Sequence, residues 1–357
     1  MLPFMADQFF QPSGDHLACR EVSQAVERVR TCVKALVGVS DGDVIFTASA
    51  TEANNLAIRG PAWQTLVVAP IEHPSVLRPA QQRQLEGANL HILPIDKFGV
   101  IDLEDLEQAL SRMPPAMVSV QHGNQIIHTI QPLSEISAIC RRHGAFLHVD
   151  ATQTSGRVPI SASAWAADFV TVSSHKCYGP KGVAALWLSP RAQQLAWHPQ
   201  ILGGGQERGL RAGSLNVPAI VGFGRACDLA VERLEADAQY LRCLGTDFWA
   251  RLEKSGLDFT PNGPAQNRLP GGVHVSIRGA DTRTLLARIP RVIASTGMAC
   301  TQAGVDPVLT AIGRPSEASR GALRIQAGRG TTGDDIAEAA DLITSTAKEL
   351  SARWGSI

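Results

Sequence analysis

Five short apolar runs, VIFTA at 44, TLVVAP at 65, LHILP at 90, MVSV at 117 and AFLHVD at 145, recur along the first 150 residues with helix-like stretches between most of them. This alternation restricts the fold more than any other feature. Strands buried on both faces read as continuous apolar runs, and successive parallel strands need a long crossover, usually a helix. The pattern predicts an α/β chain built on a mainly parallel, doubly wound sheet. Between Glu21 and Gly38, Val22, Val26, Val29, Val33 and Leu36 recur at steps of four and three, the spacing of an amphipathic helix that stops at the glycine. The runs DFVTVSSHK at 168 and VAALWL at 183 are separated by little more than GPKG, which predicts an antiparallel pair.

A helix with a long apolar face is expected from Val217 to about Leu234, after which charge density rises through EADAQYLRCLGTDFWARLEK. A domain boundary near 232 follows, with a large domain over 1–232 and a smaller α+β domain over 233–357. The smaller one reads as strand VHVSI at 273, helix TRTLLARI at 283, strand VIAS at 292, a loop holding Cys300, strand ALRIQA at 322 and a final helix from near Gly333. A length of 357 residues suits two domains.

Lys and Arg number 33 and so do Asp and Glu, so no charge excess points to nucleic acid or an anionic membrane, and a small-molecule substrate fits better. The opening MLPFMADQFF has no basic stretch ahead of an apolar one, and no later segment has the length of a membrane span, so a cytoplasmic enzyme is expected. The seven cysteines, at 19, 32, 140, 177, 227, 243 and 300, form neither a CxxC pair nor a zinc-like spacing, and no metal site is expected. Most read as small buried apolar residues. Cys300 stands apart, in the small, polar, glycine-containing loop STGMACTQAG that suits a mobile nucleophile.

The stretch TVSSHKCYGPKG puts Lys176 just beyond a strand, at the edge where open α/β sheets hold their ligands. Asp150 ends the strand AFLHVD, Ala50 and Thr51 lie between a strand and a helix start, and Ser173 and His175 add hydroxyl and imidazole groups. His73 follows the strand TLVVAP. An amine for a Schiff base, a carboxylate for a pyridinium nitrogen, phosphate donors at a helix start and a flat ring for stacking are what pyridoxal 5'-phosphate (PLP) requires of a protein.

Six blocks, SATEANNLAIRG, IEHPSVL, HVDATQTSGRVPI, SSHKCYGPKG, GGGQERGLRAGS and STGMACTQA, resemble in order the signature blocks of the cysteine desulfurases. These are PLP enzymes of fold type I in the class V aminotransferase group. The resemblance runs from about Asp15 to near the C-terminus and is nearest to the flexible-loop members. It implies that Lys176 carries the cofactor, Asp150 pairs with its ring nitrogen, Gln153 bonds its phenolic oxygen and His73 stacks on the ring and moves protons. It assigns the phosphate to Ala50, Thr51, Ser173 and His175, joined by Ser214 from a second subunit, which makes the enzyme a homodimer. Asn124, which also lies against the cofactor, and Arg324 would hold the carboxylate of L-cysteine. Cys300 would take the sulfur as a persulfide, leaving L-alanine, and pass it to an acceptor protein. Iron-sulfur cluster assembly, tRNA thiolation and DNA phosphorothioation all draw on such sulfur transfer, and direct contact with nucleic acid is not expected.

The chain departs from that pattern in several places. Members usually open on a strand and loop of the type LDxxATT near the substrate, whereas the first residues here match the helix beyond it: either the sequence is short at that end, or this is a trimmed variant whose active-site wall comes from elsewhere. Ile126 and Gln326 replace an acidic residue and a serine, and Cys177 replaces a larger apolar residue. None of these removes a residue with an assigned chemical step. Selenocysteine lyase shares the same blocks, and a desulfurase-like docking subunit is the alternative from another class. The five residues Lys176, Asp150, His73, Cys300 and Arg324 speak against a mere scaffold, and the mobile thiol loop speaks against transamination.

Overall fold

Seven strands, β1 (Asp43–Thr47), β2 (Thr65–Val68), β3 (Asn89–Ile92), β4 (Ala116–Gln121), β5 (Phe146–Asp150), β6 (Phe169–Ser173) and β7 (Ala184–Leu188), form one sheet in the spatial order β1, β7, β6, β5, β4, β2, β3. They belong to a computed structural model that describes residues 1–113, 116–297 and 305–354. β3, β2, β4, β5 and β6 pair in parallel, while β7 is antiparallel to both β6 and β1. β1 therefore runs with β6, and β7 alone is reversed, as the short GPKG connection predicted. Six of the seven strands deliver their carboxyl ends to one edge of the sheet.

β1, β2, β4, β6 and β7 are buried along their whole length, which is why they read as unbroken apolar runs. The edge strand β3 is not buried. The first long helix, Leu17–Val37, buries Val22, Val26, Val29, Val33 and Leu36 and packs on the helix Val217–Glu232. It ends at Gly38 with φ of 75°, where a Cβ would stand 2.6 Å from the Ile160 carbonyl oxygen, so both the backbone and the space select glycine. No helix among the described residues is long and apolar enough to cross a membrane.

The chain makes two compact units. The first comprises Met1–Pro94, Asp102–His122 and Gln131–Leu234; the second comprises Ile95–Ile101, Gly123–Ile130 and Glu235–Ile357. A single cut at 232 leaves those two short segments with the first unit. The second unit has a three-stranded antiparallel sheet ordered β10 (Ala322–Gln326), β9 (Gly272–Ile277), β8 (Phe259–Pro261). Its core joins Leu241 and Phe248 of the helix Leu234–Lys254 with Val275, Leu285, Leu323 and Ile343.

The expected strand VIAS at 292 does not form. Only Ser295 pairs with the sheet, exchanging two backbone hydrogen bonds with Arg324. Val292 and Ala294 pack against the core of that unit while Ile293 is fully exposed, so the run keeps a strand's alternation without a strand's ladder of hydrogen bonds.

Three histidines are buried uncharged. His148 lies between Ser119 Oγ at 2.8 Å and Thr171 Oγ1 at 3.0 Å, and His122 Nδ1 lies 3.0 Å from Thr154 Oγ1. Burial pushes both pKa values down to about 4, and that of His274 on β9 to about 3. Because the folded values lie below the ordinary 6.5, their contribution to stability is complete above that pH and is lost as the pH falls toward 4. Each costs about 1.4 kcal/mol per pH unit in that window. Melting curves from pH 7 to pH 4.5 should show a steep acid loss that His148→Gln makes shallower by one proton; an unchanged slope would assign the loss elsewhere.

Candidate active site

The residues singled out at strand ends do meet at the carboxyl edge of the large sheet. After β1, Ser49 caps the helix Ala50–Arg59, its Oγ accepting the Glu52 N–H at 3.2 Å while its carbonyl accepts Ala53 N–H at 3.1 Å. The amides of Ala50 and Thr51 are left outside the helix's own ladder, at its positive end, which is how a helix start presents donors to an anion. After β2, His73 caps the helix Pro74–Leu85, its Nδ1 accepting the Ser75 N–H at 3.1 Å. Thr51 and His73 line a groove of about 460 Å³ together with Asn55, Ser75, Arg78 and Gln82.

Asp150 is the last residue of β5 and only 6% exposed. Its Oδ1 accepts the Thr152 N–H at 3.0 Å and its Oδ2 accepts Asn54 Nδ2 at 2.8 Å. Gln153 follows, half-buried, in the next turn. β6 ends on the buried Ser173, whose Oγ lies 3.0 Å from His175 Nδ1. A single 3₁₀ turn, Ser174–Cys177, then carries Lys176, half-buried, before the chain reverses through Tyr178 at φ 69° and ψ 18°. A non-glycine residue in that left-handed conformation is strained, and such strain collects at functional turns.

The electrostatics follow from burial. The wholly buried Glu72 is pushed well above the ordinary carboxyl pKa, first by desolvation and further by Asp150, against the bond it accepts from the Gln121 N–H at 3.0 Å. Burial and the neighbouring Asp150 both favour its protonated form. His73 is lowered by loss of solvent, with Asp150 pulling it up and Lys176 pushing it down, which sets the imidazole within electrostatic reach of both. His175 is lowered by burial and then by Lys176 and Lys181.

A second group lies within the second unit. Arg324 on β10 donates from Nε to Ser295 Oγ and from Nη1 to the Gln125 carbonyl, both at 2.9 Å, which fixes the guanidinium plane. Partial burial lowers its pKa, which Asp306 partly restores. The neighbouring Asn124 is fully buried and its Oδ1 accepts the N–H groups of Ile126 and Ile127 at 2.7 and 2.9 Å. Ile126 is itself buried, so at this position the chain packs an apolar side chain where the related pattern has an acid.

Ser214 is exposed and accepts a hydrogen bond from Gln11 Nε2 at 2.8 Å rather than from any strand-end residue. Cys300 lies outside the described residues. Sequence reasoning missed Asn54, Ser75 and Ser295, whose side chains bond to the assigned residues, and the buried Glu72, which lies within electrostatic reach of Asp150. Asn54 and Ser75 stand inside the blocks SATEANNLAI and IEHPSV, but nothing in the spelling shows that they touch.

The strand-edge set fits a phosphorylated, basic heterocycle. It offers a cradled carboxylate for a ring nitrogen, a lysine, a flat imidazole, and amide and hydroxyl donors for an anion. The fold and this set define an α/β transferase of the PLP fold type I.

Residues 4–338 match the family model described as aminotransferase class-V. The chain is 38% identical to the cysteine desulfurase IscS 1 of Archaeoglobus fulgidus, over 98% of this chain and 93% of that one. It superposes on the X-ray structure of a NifS-like protein from Rickettsia africae ESF-5 with a TM-score of 0.87 at 28% identity, covering 98% and 93% of the two chains. The structure described as SspA in complex with cysteine gives 0.77 at 29% identity, covering 91% and 92%. The chain belongs to the class V aminotransferases and, within them, to the cysteine desulfurases.

Glu72 provides a test of the buried electrostatics. A carboxyl group whose folded pKa is raised contributes stability that is complete below its unfolded value of about 4.5 and is lost as the pH rises toward the folded value. Glu72→Gln keeps an acceptor for the Gln121 amide and removes this loss. The variant should gain on the wild type, in melting temperature, from pH 4.5 upward; parallel curves would mean that Glu72 is charged in the folded protein.

Proposed function

We propose that this chain uses PLP to take sulfur from L-cysteine, leaving L-alanine, and passes that sulfur through Cys300 to an acceptor protein. The observation that carries the reading is the strand-edge set of Lys176, His73 and the cradled Asp150 carboxylate, with the imidazole within electrostatic reach of both other groups. That the structure of a related protein is described with cysteine supports the substrate.

When bound, PLP supplies an electron sink that weakens the bonds around the substrate's α-carbon. The chain's own groups do the rest. Lys176 would hold the cofactor, and its Nζ would take the proton from the substrate α-carbon. Asp150 would hold a proton on the ring nitrogen, Gln153 would donate to the ring oxygen, and His73 would cover the ring. Ala50, Thr51, Ser173 and His175 would take the phosphate, and Ser214 of a second copy would complete that site in a homodimer. Arg324 and Asn124 orient the substrate carboxylate; with Nε and Nη1 already committed to Ser295 and Gln125, the arginine plane is set before substrate arrives. The Cys300 thiolate bonds to the substrate sulfur while the carbon–sulfur bond breaks, and the released pair of electrons is taken up with a proton to give alanine. Residues 1–232 would hold the cofactor and 233–357 the nucleophile.

The test is alanine and sulfide release from L-cysteine by the PLP-loaded protein with a reductant present. Wild type should turn over and Cys300→Ala should fall by orders of magnitude while keeping the visible cofactor band. A Cys300→Ala variant that still releases sulfide from cysteine would remove Cys300 from the reaction. Arg324→Lys loses the fork that grips a carboxylate and should raise KM roughly tenfold or more with a smaller change in kcat; an unchanged KM would place the carboxylate elsewhere.

A further inference from the structure

We infer that Asn54 is the positioning residue of this site, one amide that holds both Asp150 and, through Ser75, the imidazole of His73. Asn54 is completely buried on the inner face of the helix Ala50–Arg59. Its Nδ2 lies 2.8 Å from Asp150 Oδ2 and 2.9 Å from Ser75 Oγ, and Ser75 Oγ lies 2.7 Å from His73 Nδ1. The direction of every bond follows from the first. A carboxylate accepts, so the amide nitrogen faces Asp150, because the flipped amide would set oxygen against oxygen.

One amide hydrogen goes to Asp150 and the other to Ser75 Oγ. That hydroxyl, having accepted, has its own hydrogen left to donate, and His73 Nδ1 is the acceptor beside it. The same nitrogen takes the Ser75 N–H at 3.1 Å. With two donors aimed at it, Nδ1 carries a lone pair, and the proton of the neutral ring is on Nε2. The orientation of the ring-nitrogen carboxylate and the tautomer of the stacking histidine thus have one common origin. Asn54 touches neither substrate nor cofactor in this arrangement; it acts through Asp150 and Ser75.

The inference rests on the proposed cofactor site for its consequence, but the relay exists in the protein alone, so the two can fail separately. Asn54→Leu, Ser75→Ala and Ser75→Thr are compared for PLP dissociation constant and for the nitrogen-15 spectrum of histidine-labelled protein, with and without PLP. The His73 signals among the ten histidines are assigned by their loss in His73→Gln. In wild type, His73 should show one neutral tautomer with its proton on Nε2. Asn54→Leu should weaken PLP binding roughly 10- to 100-fold, the effect of losing a hydrogen bond to a charged group.

Both Asn54→Leu and Ser75→Ala should move the Nδ1 signal in the same sense, toward that of an acceptor with one donor fewer, and Ser75→Thr should restore it. If the Nδ1 signal is the same in Asn54→Leu as in wild type, or if PLP affinity changes less than twofold, the positioning role is wrong. If wild type binds no PLP while the Nδ1 signals behave as stated, the cofactor reading falls and the relay stands.

Discussion

A carboxylate taken out of water must be given back the hydrogen bonds it loses, and Asp150 sits almost wholly buried at the end of a central strand. The groups around it answer to that requirement. The Thr152 amide satisfies one oxygen and Asn54 the other. Glu72, a second carboxyl in the same buried region, has its pKa pushed well above the ordinary range by burial and by Asp150, which disfavours two negative charges in a site from which solvent is excluded. Asn54 is tied by the same amide group to Ser75, and Ser75 to His73, so the demand of one buried charge reaches across two helix starts.

The sheet makes this economical. Parallel strands finish at the same edge, and each strand end is followed by a turn or a helix start with unpaired amides. The reversed strand β7 costs nothing at that edge, because β1 beyond it again runs with β6. The lysine arrives on the shortest of these connections, a single 3₁₀ turn closed by a strained Tyr178, which leaves its backbone little freedom. In the second unit, the guanidinium of Arg324 is similarly pinned before any ligand is present, by Ser295 and a carbonyl of the segment Gly123–Ile130.

Much of this was legible in the letters. Apolar runs marked the buried strands, and the polar residues that end them marked the edge. What escaped has local physical causes. The three-residue β8 contains Pro261 and is too short to leave a period-two signature. VIAS had the residues and the alternation of a strand, but only its Ser295 pairs with the sheet. The segments Ile95–Ile101 and Gly123–Ile130 join the second unit although the chain on either side belongs to the first, a partition that sequence order does not carry.

The sequence by itself determined the sheet, the sense of most of its strands and, through six blocks of residues in order, the family, and it singled out Lys176, Asp150, His73 and Arg324 as candidates. These depend on periodicity and on residue types that lie close together in the chain. Only the tertiary structure decided that Asn54 meets Asp150, 96 positions away, that Ser75 lies between Asn54 and His73, and that burial raises the pKa of Glu72. A side-chain contact or a desolvation exists only once separate strand ends have been brought to one edge, and no local pattern of residues encodes which of them will touch.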